Sequence, residues 1–177
     1  MIEVTNISVT EAASPTEPVS LIEAKAWLRV DFSDDDTLIT GMIKSARQSI
    51  EHFTNRALVP KNVSFHAETP TDDYTETTYK LELPYVKGSV VSVLVLKDTD
   101  DTTLTEDTDY YVKGNTIYWL SGWYAITYTV TPTVSQALKE AILMEVAERY
   151  NNRGETNSEG LSKAAEDKAF PFCEIWL

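Results

Sequence analysis

The spacing of apolar residues divides the chain into helical and strand-like stretches. On either side of residues 59–131, apolar side chains recur every three or four residues, which is the period of an amphipathic helix. Within residues 59–131 the period is two, as in strands that bury one face. The pattern predicts three helices, over about 20–29, 34–55 and 135–152. The predicted fold class is therefore α+β, a small bundle of amphipathic helices with an antiparallel β-rich insert.

Two of the predicted helices begin at a recognisable start signal. Ser20 and Glu23 have the spacing of a capping box, in which each side chain accepts a backbone N–H of the other residue. Ser33 and Asp36 repeat that spacing, and the carboxylates at 34–36 suit the positive end of a helix dipole. The second helix is therefore predicted to open within residues 33–36.

The insert contains one continuous apolar run and one hairpin signal. Residues 90–96 are apolar on both faces, which predicts a central strand of the sheet. Residues 110–112 and 117–120 are strand-like and flank the short segment 113–115, which contains Gly114. This arrangement predicts a hairpin turn at Gly114.

The composition along the chain predicts three parts. Residues 1–18 are rich in Thr, Ser, Glu and Pro and are predicted to form a flexible arm, without the basic and hydrophobic regions of a signal peptide. Residues 19–153 form the main domain, with its helical core at 19–58 and 132–153, and residues 154–177 form a C-terminal tail. No apolar run approaches the ~20 residues that cross a bilayer, so no membrane association is expected.

The charge of the chain argues against one class of function. Acidic residues number 28 and basic residues 15, which gives a formal net charge of −13. A protein that grips nucleic acid clusters its Lys and Arg to neutralise phosphates, and here the basic residues are scattered singly. Sequence-independent binding of nucleic acid is therefore not expected. Solubility is the simple interpretation of the charge, and repulsion of polyanions from the surface is a second one.

No segment of the sequence has the pattern of a catalytic or cofactor site. The two histidines, His52 and His66, lie in no catalytic motif, and the six glycines are too dispersed to form a phosphate loop. The single cysteine, Cys173, cannot form a disulfide within the chain. We therefore expect no enzymatic activity and no cofactor.

Two acidic clusters are candidates for metal sites. Residues 34–36 lie at a predicted helix start, where the dipole explains three carboxylates without a cation. Asp98, Asp100 and Asp109 have the first, third and last spacing of a calcium loop, but Thr103 stands where glycine is needed. We therefore expect no bound metal.

Four aromatic residues cluster in the insert and allow two interpretations: Tyr118, Trp119, Trp123 and Tyr124. Strand alternation places Tyr124 on the same face as Ile126, which predicts a core position. A carbohydrate-binding module would instead turn the tryptophans toward solvent. The core interpretation is the simpler one, and the sugar-binding interpretation stays open.

The chain ends in a strongly apolar octapeptide after a polar linker. Its large apolar residues are candidates for docking onto a neighbouring subunit or a partner protein: Phe170, Phe172, Ile175, Trp176 and Leu177. Terminal segments are usually disordered unless they are docked, and exposed apolar patches mark interaction sites. Packing against the chain's own domain is the alternative.

An ordered set of positions in the helical segments resembles a known family. The set consists of Leu21, Lys25, Leu28, Arg29, Asp36, Arg47, Glu51, Arg56, Tyr150 and Arg153. In this order and spacing it is similar to the head–tail connector (adaptor) proteins of long-tailed bacteriophages, among the members that carry a β-rich insert. The resemblance covers about residues 19–153.

The resemblance implies a structural virion protein at the head–tail junction, made in the host cytoplasm. Its subunits would form a homo-oligomeric ring, a dodecamer, that docks on the portal protein and extends the DNA channel. The ring would support a tail or stopper protein, DNA would pass without specific binding, and the C-terminal residues would reach the portal. Another phage neck or tail-completion protein of similar size is the alternative within virions.

Overall fold

The computed structural model describes residues 2–13, 15–69, 78–83, 89–119, 122–153 and 160–173, with the backbone alone at 89–94. Two compact units make up the chain. The β unit consists of Met1–Pro15 and Pro60–Pro132, and the helical unit consists of Thr16–Val59 and Thr133–Leu177.

The described part of the helical unit contains four α-helices and a 3₁₀ turn. In chain order they are α1 (Leu21–Leu28), α2 (Asp36–Thr54), α3 (Gln136–Asn151), α4 (Lys163–Ala169) and the turn Phe170–Phe172. The three predicted helices are confirmed, with ends that differ by one or two residues. The helix α4 lies in the segment that was predicted as a C-terminal tail, and it packs against α3. None of the described helices is long and apolar enough to cross a membrane.

The two start signals have different outcomes. At α1 the capping box is present: Ser20 Oγ accepts from Glu23 N at 3.2 Å, and Glu23 Oε2 accepts from Ser20 N at 2.7 Å. At α2 the helix begins at Asp36, and no side-chain hydrogen bond caps it. Ser33 contributes only its carbonyl, which accepts from Asp36 N at 3.1 Å, and the Asp36 carboxylate is held by Lys25 Nζ at 2.6 Å instead of reaching back to Ser33. The prediction of a capping pair at Ser33 and Asp36 is therefore wrong.

Buried apolar side chains from all four helices form one core. Its members are Val19, Ala24, Ile39, Ile43, Ala46, Ile50, Leu58, Leu138, Ala141, Ile142, Leu143, Val146 and Ala169. Removing apolar surface from water stabilises the folded state by roughly 25 cal/mol per Å². The three- and four-residue spacing that predicted the helices is the spacing of this core.

The β unit contains seven described strands in two antiparallel sheets. In chain order they are β1 (Glu3–Glu11), β2 (Lys61–Glu68), β3 (Tyr79–Glu82), β4 (Ser89–Lys97), β5 (Tyr110–Lys113), β6 (Thr116–Trp119) and β7 (Trp123–Pro132). The larger sheet has the order β1-β2-β7-β4, and the smaller has the order β3-β6-β5. The α+β fold class is thus confirmed.

Alternate side chains of β2 and β7 form the core of the larger sheet. Val63 pairs with Tyr128 and Phe65 pairs with Ile126, and all four side chains are buried. The rings of Phe65 and Tyr128 meet edge to face, with their centroids 6.2 Å apart. The period-two pattern of the sequence therefore identified this core correctly.

The hairpin of the smaller sheet is also confirmed. Strands β5 and β6 pair in register across the turn at Gly114 and Asn115. Gly114 has φ = +65°, a left-handed conformation that glycine adopts without steric cost.

Two predictions about the larger sheet need correction. Glu3–Glu11 pairs with β2 as β1, so these residues belong to the sheet instead of a flexible arm. The pattern was hidden because one extra residue between Thr5 and Ser8 shifts the register, which breaks the alternation of Val4 and Val9. The run at residues 90–96 lies in β4, which ends the sheet order and is not central. An apolar run indicates that both faces of a strand are buried. It does not indicate whether the strand pairs with a neighbour on one edge or on both edges.

Candidate interaction site

The helix α1 is apolar on the face that it turns to solvent. On its inner face Ala24 is fully buried, and Leu21 and Leu28 pack against the helical core. On its outer face Ile22 is 81% exposed and Trp27 is 46% exposed. A globular surface helix ordinarily shows polar residues on its outer face, so α1 has a second apolar surface to cover.

The apolar exposure continues beyond α1. Among the described residues, seven large apolar side chains are exposed, and four of them lie between residues 22 and 38. These four, Ile22, Trp27, Phe32 and Leu38, are here called the α1–α2 apolar residues. Exposed apolar side chains concentrated in one segment are typical of protein–protein contact sites.

Lys25 fixes the connection between α1 and α2. Its Nζ donates to the carbonyl of Phe32 at 2.7 Å and to Asp36 Oδ1 at 2.6 Å. One ammonium thus joins α1, the following loop and the first turn of α2. The loop that carries Phe32 is therefore held in place, although the Phe32 ring is exposed.

Tyr150 and Arg153 hold the start of α2 from the end of α3. The Tyr150 hydroxyl donates to Asp35 Oδ2, and Arg153 donates to the same oxygen at 3.2 Å. The Arg153 guanidinium also lies over the Tyr150 ring, 4.1 Å from its centroid. The hydrogen bond to Asp35 and, to a smaller extent, the loss of solvent around the hydroxyl raise the pKa of Tyr150. The hydroxyl therefore remains protonated and can donate.

Arg47 and Glu51 form a buried ion network inside the helical unit. Arg47 is fully buried and donates to Glu51 Oε2 at 2.8 Å and to both carboxylate oxygens of Glu17 at 3.1 Å. The other Glu51 oxygen accepts the backbone N–H of Leu58 at 2.7 Å. This network ties the segment before α1 and the turn after α2 to the middle of α2.

Ten positions form the set that resembles the connector family, and they are here called the family-type positions. Those not yet described also make contacts within the helical unit. Arg29 ends α1 in a left-handed conformation (φ = 59°) and donates its backbone N–H to the carbonyls of Ala26 and Lys25. Arg56 lies over the Phe172 ring, with 5.7 Å between its guanidinium carbon and the ring centroid. The structure therefore brings the family-type positions together in small contacts inside the helical unit, and not at one common site.

The C-terminal candidates separate into three groups. Phe170 is 66% exposed and is free to contact a partner. Phe172 packs against the chain's own helical core, and Cys173 Sγ lies 3.5 Å from the Phe53 carbonyl. Burial raises the pKa of the Cys173 thiol. Ile175, Trp176 and Leu177 lie outside the described residues.

The acidic loop of the β unit uses its carboxylates to close turns. Asp98 Oδ1 accepts from the backbone N–H groups of Asp100 and Thr102, both at 2.9 Å. Asp109 Oδ2 accepts from Thr105 N at 2.8 Å. Over the part of the chain that the structure describes, no three His, Cys, Asp or Glu residues come together as a metal site.

Sequence patterns missed the outer face of α1. Ile22 and Trp27 fall outside the stripe formed by Leu21, Ala24 and Leu28, and apolar residues off the stripe of a short helix are the signal that could have revealed it. Of the insert's tryptophans, Trp123 is half-buried against the His66 ring, with 4.6 Å between the ring centroids, and Trp119 does not face solvent as a sugar-binding module would require. Trp119 is 2% exposed.

A sequence comparison decides which family these features belong to. The family model described as "Phage gp6-like head-tail connector protein" matches residues 18–173. The chain belongs to this family. This connector therefore has a structural role, as the resemblance predicted, and the ten family-type positions lie within the matched range. A search of curated protein sequences gives no match.

Three solved structures share the connector's fold. The neck of an empty GTA particle, computed with C6 symmetry, has 13% identity and a TM-score of 0.65 over 96% of this chain and 97% of that chain. The virion of a native gene transfer agent particle has 14% identity and a TM-score of 0.67 over 96% of both chains. The neck of a native GTA particle, computed with C12 symmetry, has 14% identity and a TM-score of 0.64 over 96% and 97%.

Proposed function

We propose that this connector assembles as a homo-oligomeric ring of twelve subunits at the head–tail junction of a virion. The family match over residues 18–173 is the observation that carries the proposal. The similarity in fold to a chain of a neck computed with C12 symmetry supports the subunit number. The protein is made in the host cytoplasm and acts as a structural part, without catalysis.

The α1–α2 apolar residues fit the subunit interface of such a ring. A closed ring needs a heterologous interface, in which one surface of a subunit meets a different surface of the next. Ile22 and Trp27 lie on a rigid helix that the capping box and Lys25 hold in place. Burying one large apolar side chain contributes about 1.5–3 kcal/mol, so a few such residues in each subunit suffice when many subunits close together.

The portal protein and a tail or stopper protein are the proposed partners on the two sides of the ring. The docking group on the portal side is Phe170, Phe172, Ile175, Trp176 and Leu177. Phe170 is exposed at the end of α4, while Phe172 anchors this segment to the helical core. The segment that follows Phe172 is thus attached to a fixed point of the fold.

The net charge of −13 suits a channel through which DNA passes without binding. Lys and Arg on the channel wall would hold phosphates and release counterions, whereas carboxylates repel them. We propose that part of the acidic surface lines the channel. A structure of the assembled ring with a neutral or basic wall would rule this out.

The solution mass of the purified protein, alone and with its cognate portal protein, tests the ring and the docking. Light scattering should give either a ring alone or a complex that forms only with portal. A monomer that ignores portal would contradict the proposal.

Two variants separate the two interfaces. The double variant Ile22→Ser, Trp27→Ser should prevent ring formation while its circular dichroism stays unchanged, because both side chains point away from the core. Removal of residues 174–177 retains the Phe172 anchor and should abolish portal attachment without changing the helical fold. Unchanged attachment by the truncated protein would refute the assignment of the C-terminal group.

A further inference from the structure

The helical unit carries a cleft beside α2 and α3. It has a volume of about 570 Å³. Its polar wall consists of four side chains of α2 and one of α3: Ser45, Gln48, Ser49, His52 and Arg149. Its apolar part is formed by Phe53 and Leu161, which are half-buried against the helical core. The cleft therefore offers hydrogen-bond donors next to an apolar surface.

Arg149 is held at the cleft with part of its guanidinium unused. Its Nε donates to Glu145 Oε1 at 2.8 Å, its Nη2 donates to Ser49 Oγ at 2.8 Å, and its Nη1 donates to Ser45 Oγ. A guanidinium has five N–H donors, so two of them have no partner among the described residues. The side chain is 25% exposed. Arg149 is thus fixed in position and can still donate to an incoming oxygen.

The lining of the cleft is unusual for so acidic a protein. The chain has 28 acidic and 15 basic residues, yet none of the described residues that line the cleft is acidic. The nearby Glu145 is buried, and its second oxygen is occupied by the Ser162 N–H at 2.8 Å. A carboxylate next to an apolar side chain therefore has the chemistry that fits the cleft.

The loop between α1 and α2, residues 29–35, carries that combination on its surface. The Phe32 side chain is 48% exposed, and Asp31 and Asp34 on either side of it are exposed. Neither carboxylate has a hydrogen bond or an ion pair with another described residue. Lys25 Nζ holds the Phe32 carbonyl at 2.7 Å, so the loop is preorganised.

The loop and the cleft lie on opposite sides of α2. Asp36 is held by Lys25 of α1, and Arg47 is held by Glu17 before α1. They are about three helical turns apart, so together they mark the side of α2 that faces α1. Ser45 follows Asp36 by about two and a half turns and lies on the reverse side. A contact between two such surfaces of neighbouring copies is heterologous, the type that closes a ring.

We propose that the α1–α2 loop of one subunit docks in this cleft of the next subunit, with Arg149 as the receptor of a loop carboxylate. Asp31 or Asp34 accepts from the two remaining N–H groups of Arg149, and the Phe32 ring packs on the apolar part of the cleft. The inference rests on the proposed ring, and it supplies the second surface that the α1–α2 apolar residues meet.

The observations favour a carboxylate over a nucleic-acid phosphate. Binding to a phosphate backbone requires clustered Lys and Arg. The cleft offers one guanidinium, which is already paired with Glu145, in a protein of net charge −13. A carboxylate on a preorganised loop needs only that one receptor.

The double variant Gln48→Glu, His52→Glu tests the cleft, because both side chains are exposed and the contacts of Arg149 stay in place. Light scattering, alone and with portal protein, should show that assembly needs about tenfold or more protein, since an acidic cleft repels the loop. Lys44→Glu is the matched control: it changes the net charge equally on the exposed surface of α2, outside the cleft, and should assemble normally.

Two outcomes of that comparison overturn the inference and leave the ring in place. One is assembly of the double variant at the same concentration as the unmodified protein. The other is an equal loss in Lys44→Glu, which would attribute the effect to net charge. Failure of the unmodified protein to assemble, alone and with portal, would overturn the proposed ring together with this contact.

A mixing experiment identifies the loop as the occupant. The variant Asp31→Lys, Asp34→Lys should also fail to assemble, because its basic loop is repelled by Arg149. Mixing it with the variant Gln48→Glu, His52→Glu should restore assembly, since every loop then meets a cleft of opposite charge. A mixture that stays unassembled, when both variants keep the circular dichroism of the unmodified protein, would overturn the pairing.

A labelled DNA duplex separates the loop carboxylate from a phosphate. Its fluorescence anisotropy should not change when the unmodified protein is added. Binding of the duplex that is lost in the variant Gln48→Glu, His52→Glu would assign the cleft to nucleic acid and overturn the inference.

Discussion

The interiors of the two units differ in chemistry, although both have an apolar core. Among the described residues, the helical unit buries three charged side chains, Arg47, Glu51 and Glu145, each with ionic or hydrogen-bonding partners. In the β unit, the buried polar side chain among the described residues is Thr69, an uncharged group. The helices are thus oriented by charged contacts, whereas the strands are oriented by backbone ladders.

This difference predicts which substitutions lower the stability of each unit most. A helix satisfies its own backbone, so its position has to be specified by side chains. Arg47 of α2 binds Glu17 in the segment before α1, and Glu145 of α3 accepts the N–H of Ser162 at the start of α4. A strand's position is already specified by the hydrogen bonds of its neighbours. Single polar substitutions should therefore cost more in the helical unit than in the β unit, and the following predictions test that order.

The largest effect is expected for Arg47→Met. The change leaves the Glu51 carboxylate buried without its cation, and removal of one partner of a buried ion pair costs about 3–5 kcal/mol. Urea unfolding, followed by helix circular dichroism, measures the loss. A cost below that of the β-unit variant described next would reverse the proposed order.

Thr69→Val should have an intermediate effect. The Thr69 hydroxyl accepts from Gly122 N at 2.6 Å and donates to Gly122 O at 3.1 Å, and valine has the same shape without these bonds. Leaving such groups unsatisfied costs about 1–3 kcal/mol. The same urea titration, followed by NMR signals of the β unit, measures it, and Thr127→Val on the exposed face of β7 is the control.

Ser20→Ala should cost about 1 kcal/mol, because it removes the hydroxyl that caps Glu23 N at the start of α1. Thermal unfolding compared with the exposed variant Ser33→Ala measures the cap. A cost for Ser33→Ala equal to that of Ser20→Ala would show that the second start signal also caps its helix, against the structure.

The same cap predicts a pH dependence. The hydrogen bonds from the Ser20 backbone N–H and hydroxyl lower the pKa of Glu23 from its usual 4.5. A lowered pKa means that the unfolded chain binds the proton more readily, so the stabilisation is present above about 4.5 and is lost as the pH falls through the folded-state pKa. The stability difference between the unmodified protein and Glu23→Gln should therefore close in acid, and a constant difference would contradict the cap's ionic character.

The smallest effect is expected for Lys163→Ala. Lys163 pairs with Asp167 at 2.7 Å and with Glu166 at 3.6 Å, but its side chain is 76% exposed and solvent screens both contacts. The unfolding midpoint should not change measurably. A clear loss of stability would show that charged surface contacts matter as much as the buried network.

The sequence predicted the helical unit well because its core spacing is regular. Ile39, Ile43, Ala46 and Ile50 repeat at steps of three and four residues, and all are buried. The network around Arg47 was not predictable, because its partner Glu17 lies 30 residues away in a segment without periodicity. The outer face of α1 was missed because a pattern search follows the buried stripe and ignores apolar residues outside it.

The β unit was predicted in its centre and missed at its edges. Alternation identified Phe65, Ile126 and Tyr128, which are buried on the two inner strands, β2 and β7, of the larger sheet. At β1 an inserted residue breaks the alternation, so the strand was not predicted. At β4 the continuous apolar run gave no information on which strands lie beside it, so its place in the sheet was not predicted. The stacking of Tyr111 on Tyr118 was also missed, because it depends on the register of the folded hairpin.

The register shifts of the larger sheet have a consequence for the proposed ring, in which many copies of the sheet would come close together. Both outer strands carry one extra residue relative to their partners, between Thr5 and Ser8 in β1 and between Ser92 and Val95 in β4. An uninterrupted edge is a template on which strands of other molecules add and build fibrils, and such irregularities twist the edge away from that geometry. The sheet therefore carries its own protection against amyloid-like growth when copies become crowded.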